Sequence, residues 1–322
     1  NIDDLLRIRL VKKSADGEAT AAQETKSNDE KSEAKELQQI KKEDDIKKND
    51  NQTVKSKTDS GATPSTCSNG KSESAVPPLG SKAPTEDTVL TITGDGVERE
   101  LFLSMDDLKG LKQAYLEQCF STVNNYPTRK FAVAKGVSLS YLLEQAGIKD
   151  QAKSFLVEAS DGYKAELTKE QLLGKRYRYP QLLSGSTEGA IEVKPMLAWA
   201  YAEGQDFSKA KDCDLRLVIG QRGIHDVNTA PGVQMVSKII VSTKDPGRWE
   251  KPTAKLENGE ITLYHDFIDK VKIYYTLDGS EPTEKSNVYN PSTTYFQPDL
   301  IKPIPVSGPG ILKAKVIGYG KR

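Results

Sequence analysis

The chain has 322 residues, of which 36% are hydrophobic, and its 46 basic side chains balance 46 acidic ones. A formal net charge of zero provides no long-range attraction for polyanions, so we expect no nucleic-acid partner. No apolar run approaches the roughly 18 residues that a membrane span requires, so we expect no such span. The 7 Phe, 13 Tyr and 2 Trp all lie at or after Phe102, which predicts that the hydrophobic core begins late in the chain.

The first part of the chain has a composition that is typical of disorder. Residues 1–11 are amphipathic but too short for a unit of their own, so we interpret them as the remnant of a preceding segment whose partner lies elsewhere. Residues 12–87 contain few large aliphatic side chains. So little apolar area cannot offset the entropy of ordering the backbone, which predicts a disordered N-terminal arm, either a plain linker or a regulatory tail. Because Asn1 is not an initiator methionine, we expect a processed product or a fragment.

From residue 88 the pattern changes to alternating and periodic segments, which predicts a folded domain over 88–243. The predicted elements are hairpin turns at Gly94–Gly96 and Ser160–Gly162, a turn at Asn124–Pro127, and helices that begin after Ser104, Ser138 and Thr168. The two most apolar strands, LRLVIG at 215–220 and MVSKIIVS at 235–242, are predicted to be central strands of a sheet.

A segment rich in Pro and Gly after residue 244 opens a region that is β throughout. The dipeptides Asn258-Gly259 and Asp278-Gly279 predict tight turns, because these residues tolerate the positive φ that such turns require. Residues 244–322 are fewer than the about 100 that a seven-stranded sandwich needs, so we expect a small or truncated β-sandwich.

Three features of the first domain are shared with a known family: the segments KGVSLSYLLEQAGI at 135–148 and ASDGY at 159–163, and the closing pattern over 215–241. Residues 88–243 resemble the molybdopterin-binding domain of the sulfite oxidase superfamily, in a short form found in bacterial surface proteins. The resemblance implies an α+β fold of that type. It also implies a molybdenum–pterin cofactor in members that keep the site.

The segment IYYTLDGSEPT at 273–283 closely matches the signature of a small C-terminal β-sandwich of chitobiase and hexosaminidase enzymes. Residues 251–322 therefore resemble that module, which lies outside the catalytic barrel of those enzymes and implies no glycosidase activity here. The family pattern continues into one further strand after the segment from Ala314 to Gly320. We therefore expect a truncated module or a longer polypeptide.

Cys119 is the candidate metal ligand and catalytic residue, because the resemblance implies that one cysteine thiolate binds molybdenum beside the pterin dithiolene. The surrounding QCFSTVNNYP lacks the Cys-Ala-Gly-Asn-Arg stretch of the well-studied oxidases. Strand alternation also allows this side chain to point into the core, where a cysteine behaves as a small inert hydrophobe. Both interpretations stay open from the sequence.

The candidate cofactor-binding residues are Arg129, Arg222, His225 and Gln234. The loop that carries Arg222 and His225 also offers backbone amides after a predicted strand, which is typical of a cradle for a pterin phosphate. Gln234 stands where the family's oxidases usually present a lysine, so a charge that would hold phosphate is lost. The alternatives are a surface turn in which Arg222 pairs with Asp226, and a plain surface charge at Arg129.

Other chemistry has little support. The three cysteines are too few for a disulfide scaffold, and Cys213, with charged neighbours and no nearby histidine, is interpreted as a loop thiol. The hexamer KRYRYP at 175–180 mixes basic and aromatic residues, as base-stacking surfaces do, but in a neutral protein we favour a loop whose tyrosines pack on the domain edge. No dinucleotide-binding, P-loop or nucleophile-elbow motif is present in the sequence.

Two functional hypotheses follow for an extracellular or cell-surface protein of several modules. The first is an oxidoreductase-like protein in which Cys119 ligates molybdenum during oxo transfer. The second is a cofactor-free binding or structural module, whose partners are other cell-surface proteins or further modules of the same polypeptide. The altered context of Cys119 and the glutamine at 234 favour the second hypothesis, so we expect the molybdenum cofactor to be absent.

Overall fold

The computed structural model describes residues 5–10, 22–23, 79–80, 83–268, 270–292 and 298–322. All of these belong to one compact unit formed by Asn1–Gln23 and Leu79–Arg322. The arm predicted over 12–87 lies outside the described residues, apart from 22–23, 79–80 and 83–87.

Strands predominate in the part of the chain that is described. In chain order they are β1 (Leu5–Leu10), β2 (Ala22–Gln23), β3 (Thr88–Thr93), β4 (Leu101–Ser104), β5 (Tyr115–Val123), β6 (Arg129–Ser138), β7 (Ser154–Ala159), β8 (Lys164–Thr168), β9 (Arg176–Arg178), β10 (Ile191–Val193), β11 (Met196–Glu203), β12 (Lys211–Val218), β13 (Val236–Ser242), β14 (Thr253–Glu257), β15 (Glu260–Tyr264), β16 (Lys272–Thr276), β17 (Asn287–Val288), β18 (Ile304–Pro305) and β19 (Gly310–Ile317). The α-helices are α1 (Met105–Gly110), α2 (Leu139–Gln145) and α3 (Lys169–Leu173). None of the described helices has the length and apolar content to cross a membrane.

The predicted α+β character is present only in part, because the described residues are mainly β and form several sheets. The finer assignment of 88–243 to the sulfite oxidase-like fold remains a prediction. The three helices begin where the sequence predicts. Ser104 with Asp107, and Thr168 with Gln171, form reciprocal capping boxes, and Ser138 caps α2.

One sheet has the strand order β4-β3-β13-β7-β8. The predicted hairpins β3–β4 and β7–β8 are both antiparallel, and β13 joins them, parallel to β3 and antiparallel to β7. β13 is therefore a central strand, as its apolar sequence predicts. The helices contribute Leu108, Leu139, Leu142 and Leu172 to the hydrophobic core of this part of the molecule.

A second sheet has the order β12-β11-β6-β5. Most of the LRLVIG segment lies in β12, which is an edge strand of this sheet. The prediction that this segment is a central strand is therefore wrong. Its side chains are buried on the face of the sheet instead, at Leu215 and Leu217. The backbone N–H of Leu217 also donates to the carbonyl of Val233 at 2.8 Å, so a later loop covers part of the edge.

The C-terminal region is a β-sandwich of two sheets, ordered β14-β15-β18 and β17-β16-β19-β1-β2. Side chains from both sheets form one hydrophobic cluster, which includes Ile261, Ile273, Ile304 and Leu312. The predicted turn between β14 and β15 is confirmed, since Asn258 and Gly259 have φ values of 51° and 78°.

The position of β1 corrects the prediction that residues 1–11 lack a partner in this chain. β1 pairs antiparallel with β19 through all six of its residues. Leu6, Ile8 and Leu10 are buried in the cluster of the sandwich. β1 thus lies beside residues Gly310–Lys315 of β19. The alternating apolar residues of β1 predict a strand, but they do not identify its partner. The partner strand β19 lies at the other end of the chain, so the sequence near β1 contains no signal for this pairing.

Candidate functional site

Cys119 lies within β5, and its side chain is part of a hydrophobic cluster. The residue is 9% exposed, and its Sγ lies 4.0 Å from the backbone oxygen of Phe120. The cluster also contains Val123, Phe131, Val133, Tyr179, Leu182, Ile224 and Val227. These neighbours are those of a core cysteine that packs as a small hydrophobe.

The surroundings of Cys119 also control its ionisation. Burial raises the pKa of the Cys119 thiol, and the positive charge of Arg178 opposes this only in part. The side chain is therefore a neutral thiol at neutral pH. Because the thiolate is the form that binds metal and acts as a nucleophile, this environment works against both roles.

The loop over 220–228 lies against the same cluster, but it presents apolar side chains to it. Ile224 and Val227 pack in the cluster of Cys119. Asn228 anchors the loop to β5, since its Oδ1 accepts a hydrogen bond from Val123 N at 3.0 Å and its Nδ2 donates to the Ser121 carbonyl at 3.0 Å. The loop is thus part of the core of the domain.

Arg222 and Asp226 form the ion pair that the sequence offered as an alternative to a phosphate cradle. Nη2 and Nε of Arg222 donate to Oδ1 of Asp226 at 2.7 and 3.2 Å. The pair does not lie in a surface turn, since Asp226 is 2% exposed. Arg222 also lies 3.6 Å from a carboxylate oxygen of Glu284 in the C-terminal region. Its guanidinium is therefore committed to two carboxylates.

Asp226 is the centre of a buried polar network that joins the two folded regions. Its Oδ2 accepts hydrogen bonds from Nη1 of Arg176 at 3.1 Å and from the hydroxyl of Tyr319 at 2.8 Å. The guanidinium carbon of Arg222 lies 4.4 Å from the centre of the Tyr319 ring, within the range of a cation–π contact. We call these four residues, Arg176, Arg222, Asp226 and Tyr319, the interface network.

A second set of contacts reinforces this interface. Nε2 of Gln171 donates to the carbonyls of Gly318 and Lys321 at 2.8 and 2.7 Å, and its Oε1 accepts from Gly320 N at 2.9 Å. Gly223 packs so closely on the backbone of Glu284 that a Cβ added there would lie 2.1 Å from its carbonyl oxygen. The loop that the sequence predicted to hold a cofactor therefore holds the C-terminal region.

Arg129 and His225 lie near each other but form no obvious catalytic pair. Nη1 of Arg129 donates to the Leu182 carbonyl at 3.0 Å. Burial lowers the pKa of His225, and the charges of Arg129 and Lys272 lower it further. His225 is therefore an uncharged imidazole at neutral pH, which makes it a poor partner for phosphate.

Gln234 lies apart from these residues, in a cleft of the described surface. The cleft has a volume of about 580 Å³. It is lined by Asn124, Asn125, Tyr126, Asp161, Tyr163, Thr229, Ala230, Gly232, Gln234 and Met235. The predicted turns at Asn124–Pro127 and Ser160–Gly162 both contribute residues to this lining. Within each turn, the side-chain Oδ1 of Asn124 or of Asp161 accepts a backbone hydrogen bond that stabilises the turn.

The chemistry of this cleft is aromatic and polar but not cationic. Tyr126 and Tyr163 are 55% and 52% exposed, and the hydroxyl of Tyr163 donates to the Ala230 carbonyl at 2.9 Å, which fixes the direction of its ring. Among the residues that the structure describes, the lining includes one carboxylate and no Lys, Arg or His. Met235 has a φ of 54°, which is rare outside glycine and marks a constrained backbone in the wall of the cleft.

The two remaining sequence interpretations need correction. Cys213 is not a loop thiol, because it is half-buried within β12. The KRYRYP hexamer is not a loop at the domain edge. It contains β9, which pairs with β10, and Arg176 is 1% exposed while Tyr179 is 3% exposed. The side chains of Arg176 and Tyr179 are therefore not accessible from the surface.

The residues as placed do not fit a molybdenum–pterin cofactor. Such a group needs a thiolate ligand and cations that face its phosphate. Cys119 is a buried neutral thiol, Arg222 is paired with Asp226, and the cleft at Gln234 presents no cation. In the described ranges, no group of three or more His, Cys, Asp or Glu side chains is arranged to hold a metal ion.

A comparison with known protein families supports the β-sandwich of the C-terminal region. Residues 257–322 match the family model of the chitobiase/beta-hexosaminidase C-terminal domain. No curated protein matches the chain. Among solved structures, the sulfane dehydrogenase SoxCD from Paracoccus pantotrophus is similar at 14% identity and a TM-score of 0.32, over 71% of this chain and 63% of that one. This chain thus spans less than two thirds of that structure.

Sequence reasoning did not identify Arg176 and Lys272 as buried charges or Tyr319 as a partner of Asp226. For the two basic residues the only signal was a charged side chain in a β-rich region with apolar neighbours. That signal does not distinguish a buried charge from an exposed one, because burial depends on a partner from a distant part of the chain.

Proposed function

We propose that this chain is a cofactor-free binding module of an extracellular or cell-surface protein, built from a sulfite oxidase-like domain and a β-sandwich. The environment of Cys119 carries this proposal. A buried thiol with a raised pKa, covered by the apolar side of the 220–228 loop, serves packing and not redox chemistry. Residues that would otherwise face an anionic cofactor hold the C-terminal region in place instead.

The cleft at Gln234 is the proposed ligand site, and its lining supports a neutral, hydroxyl-rich ligand such as an oligosaccharide. Exposed tyrosine rings offer apolar faces that pack on the C–H face of a sugar ring. Amide and carboxylate side chains around them exchange hydrogen bonds with hydroxyl groups. The described part of the lining contains no cationic side chain, which argues against anionic ligands.

Metal analysis of Cys119→Ser tests the cofactor-free assignment. We expect protein from a host that makes molybdopterin to contain only traces of molybdenum, with or without the substitution. Because the serine hydroxyl is buried among apolar side chains, the free energy of unfolding should fall by about 1–3 kcal/mol in a urea titration. Cys213→Ser, at a half-buried position, is the matched control and should cost less. Near-stoichiometric molybdenum that disappears in Cys119→Ser would instead support the oxidoreductase hypothesis.

Titration with neutral trisaccharides tests the ligand class. We expect saturation-transfer NMR to detect binding of cellotriose, maltotriose or triacetylchitotriose, and Tyr163→Ala to weaken it by about 10-fold or more, since an oriented aromatic platform is lost. Tyr264→Ala is the matched control, because Tyr264 is 48% exposed on the sandwich, outside the cleft. If none of the three sugars binds while a sulfated trisaccharide does, the assignment of a neutral ligand is wrong.

A further inference from the structure

The β-sandwich contains a strand that comes from a distant part of the chain. All other strands of its two sheets, apart from β2 on the outside of β1, lie between Thr253 and Ile317. β1 lies between β19 and β2, so its removal would expose the edge of β19 and open one side of the hydrophobic cluster. β1 therefore fills a groove that the C-terminal strands themselves leave open.

β1 binds through backbone pairing and three apolar side chains, and β1 of a second copy of this chain can make the same contacts. The strand pairs with β19 from Leu5↔Lys315 to Leu10↔Gly310, and its inward side chains are Leu6, Ile8 and Leu10. On the outer face Arg7 stands opposite Lys313. The apolar face and the ladder of backbone hydrogen bonds supply an attraction that a second copy of the chain can reproduce.

The connection to the rest of the molecule is long. The compact unit includes β1 and β2 up to Gln23 and resumes at Leu79, so residues 24–78 form the connection. A connection of that many residues has a maximum reach of about 190 Å, so chain length alone does not dictate which groove β1 enters. Exchange of an identical element between copies makes the same contacts in both arrangements, and so has a low cost.

We propose that β1 is an exchangeable donor strand that fills the β19 groove of a second copy of this chain when copies are concentrated. A tethered strand is present at its own groove at an effective concentration on the order of 1 mM, and a second copy competes when its concentration approaches that value. Closed single chains therefore predominate in dilute solution, and exchanged chains predominate where copies are crowded. This mode of association is β-strand addition, and its partner is a second copy of the same polypeptide. It is independent of the ligand proposed for the cleft.

Cysteine trapping tests this proposal in the full chain, with Cys67 and Cys213 replaced by serine. Arg7→Cys and Lys313→Cys are introduced into separate chains, which are unfolded, mixed, refolded and oxidised at about 10 µM or about 1 mM. Opposed residues of an antiparallel pair are close enough for a disulfide. We expect a covalent heterodimer at the higher concentration, at a yield at least about 10-fold above that at the lower one.

Three comparisons decide the outcome. A chain carrying both cysteines should close within itself at low concentration, which confirms the register of β1. Arg7→Cys mixed with Lys255→Cys, an exposed position on β14 in the other sheet, measures random oxidation at each concentration. Ile8→Asp added to the Arg7→Cys chain should remove the heterodimer, because it places a charge in the apolar groove. The proposal is overturned if the heterodimer never exceeds the Lys255 control, or if the double variant fails to close.

Discussion

Replacing Asp226 with asparagine is expected to lower the free energy of unfolding by about 3–5 kcal/mol, because it leaves buried positive charge without its counterion. Arg176 is 1% exposed, and both it and Arg222 direct guanidinium nitrogens at this carboxylate. Asparagine has nearly the same shape, so the loss reports charge and not a cavity. Urea unfolding at pH 7 measures the effect.

The control for this prediction is Asp245→Asn. Asp245 also pairs with an arginine, Arg322, but their side chains are 43% and 49% exposed. Exposed ion pairs contribute little to stability because water screens them, so this variant should remain close to the parent. If Asp226→Asn and Asp245→Asn lower the free energy of unfolding equally, burial does not determine the contribution of the interface network to stability.

The same residue predicts a pH dependence with a definite sign. Burial alone would raise the pKa of Asp226, but the charges and hydrogen bonds of Arg222 and Arg176 outweigh it and hold that pKa below the ordinary value of 3.8. A carboxyl with a depressed folded-state pKa contributes stability above its unfolded pKa and loses it as the pH falls through the folded one. Below pH 4 the parent should therefore lose stability faster than Asp226→Asn.

The second large effect is expected at alkaline pH and comes from Lys272. This lysine is 5% exposed on β16, and its Nζ donates to the carbonyls of Asn290 and Pro291 at 3.3 and 2.5 Å. Burial lowers its pKa from 10.5 to about 8, although the negative charge of Asp226 works in the opposite direction. Between these two values the unfolded chain holds a proton that the folded chain has released.

Deprotonation therefore favours the folded state, and the contribution of Lys272 to stability should rise by about 2–3 kcal/mol from pH 8 to pH 10. Lys272→Met keeps the length of the side chain and removes the titrating group. The two cysteines with raised pKa act in the opposite direction but are common to both proteins, so the difference between parent and variant isolates the lysine. Urea unfolding at both pH values measures it, and a difference that stays constant would contradict the prediction.

The comparison of sequence and structure separates local from long-range information. Helix starts at Ser104, Ser138 and Thr168 and the turn at Asn258-Gly259 were predictable, because a cap or a tight turn involves residues within four positions of each other. The central place of β13 was also predictable from its apolar, β-branched residues, of which Val236, Ile239 and Val241 are buried. β12 has a similar composition but lies at an edge of its sheet. Its apolar side chains are buried on the face of the sheet, and a later loop covers part of its edge.

The candidate site shows the same division. The sequence by itself determined that Cys119 lies on a strand, that two turns begin at Asn124 and Ser160, and that Arg222 and Asp226 can reach each other four residues apart. Only the tertiary structure decided that the turns converge on one cleft, that the ion pair is buried against Tyr319, and that β1 completes the sandwich. Each of these depends on surfaces brought together from distant positions, and burial changes the energy of a charge or a strand edge without leaving a mark in the nearby sequence.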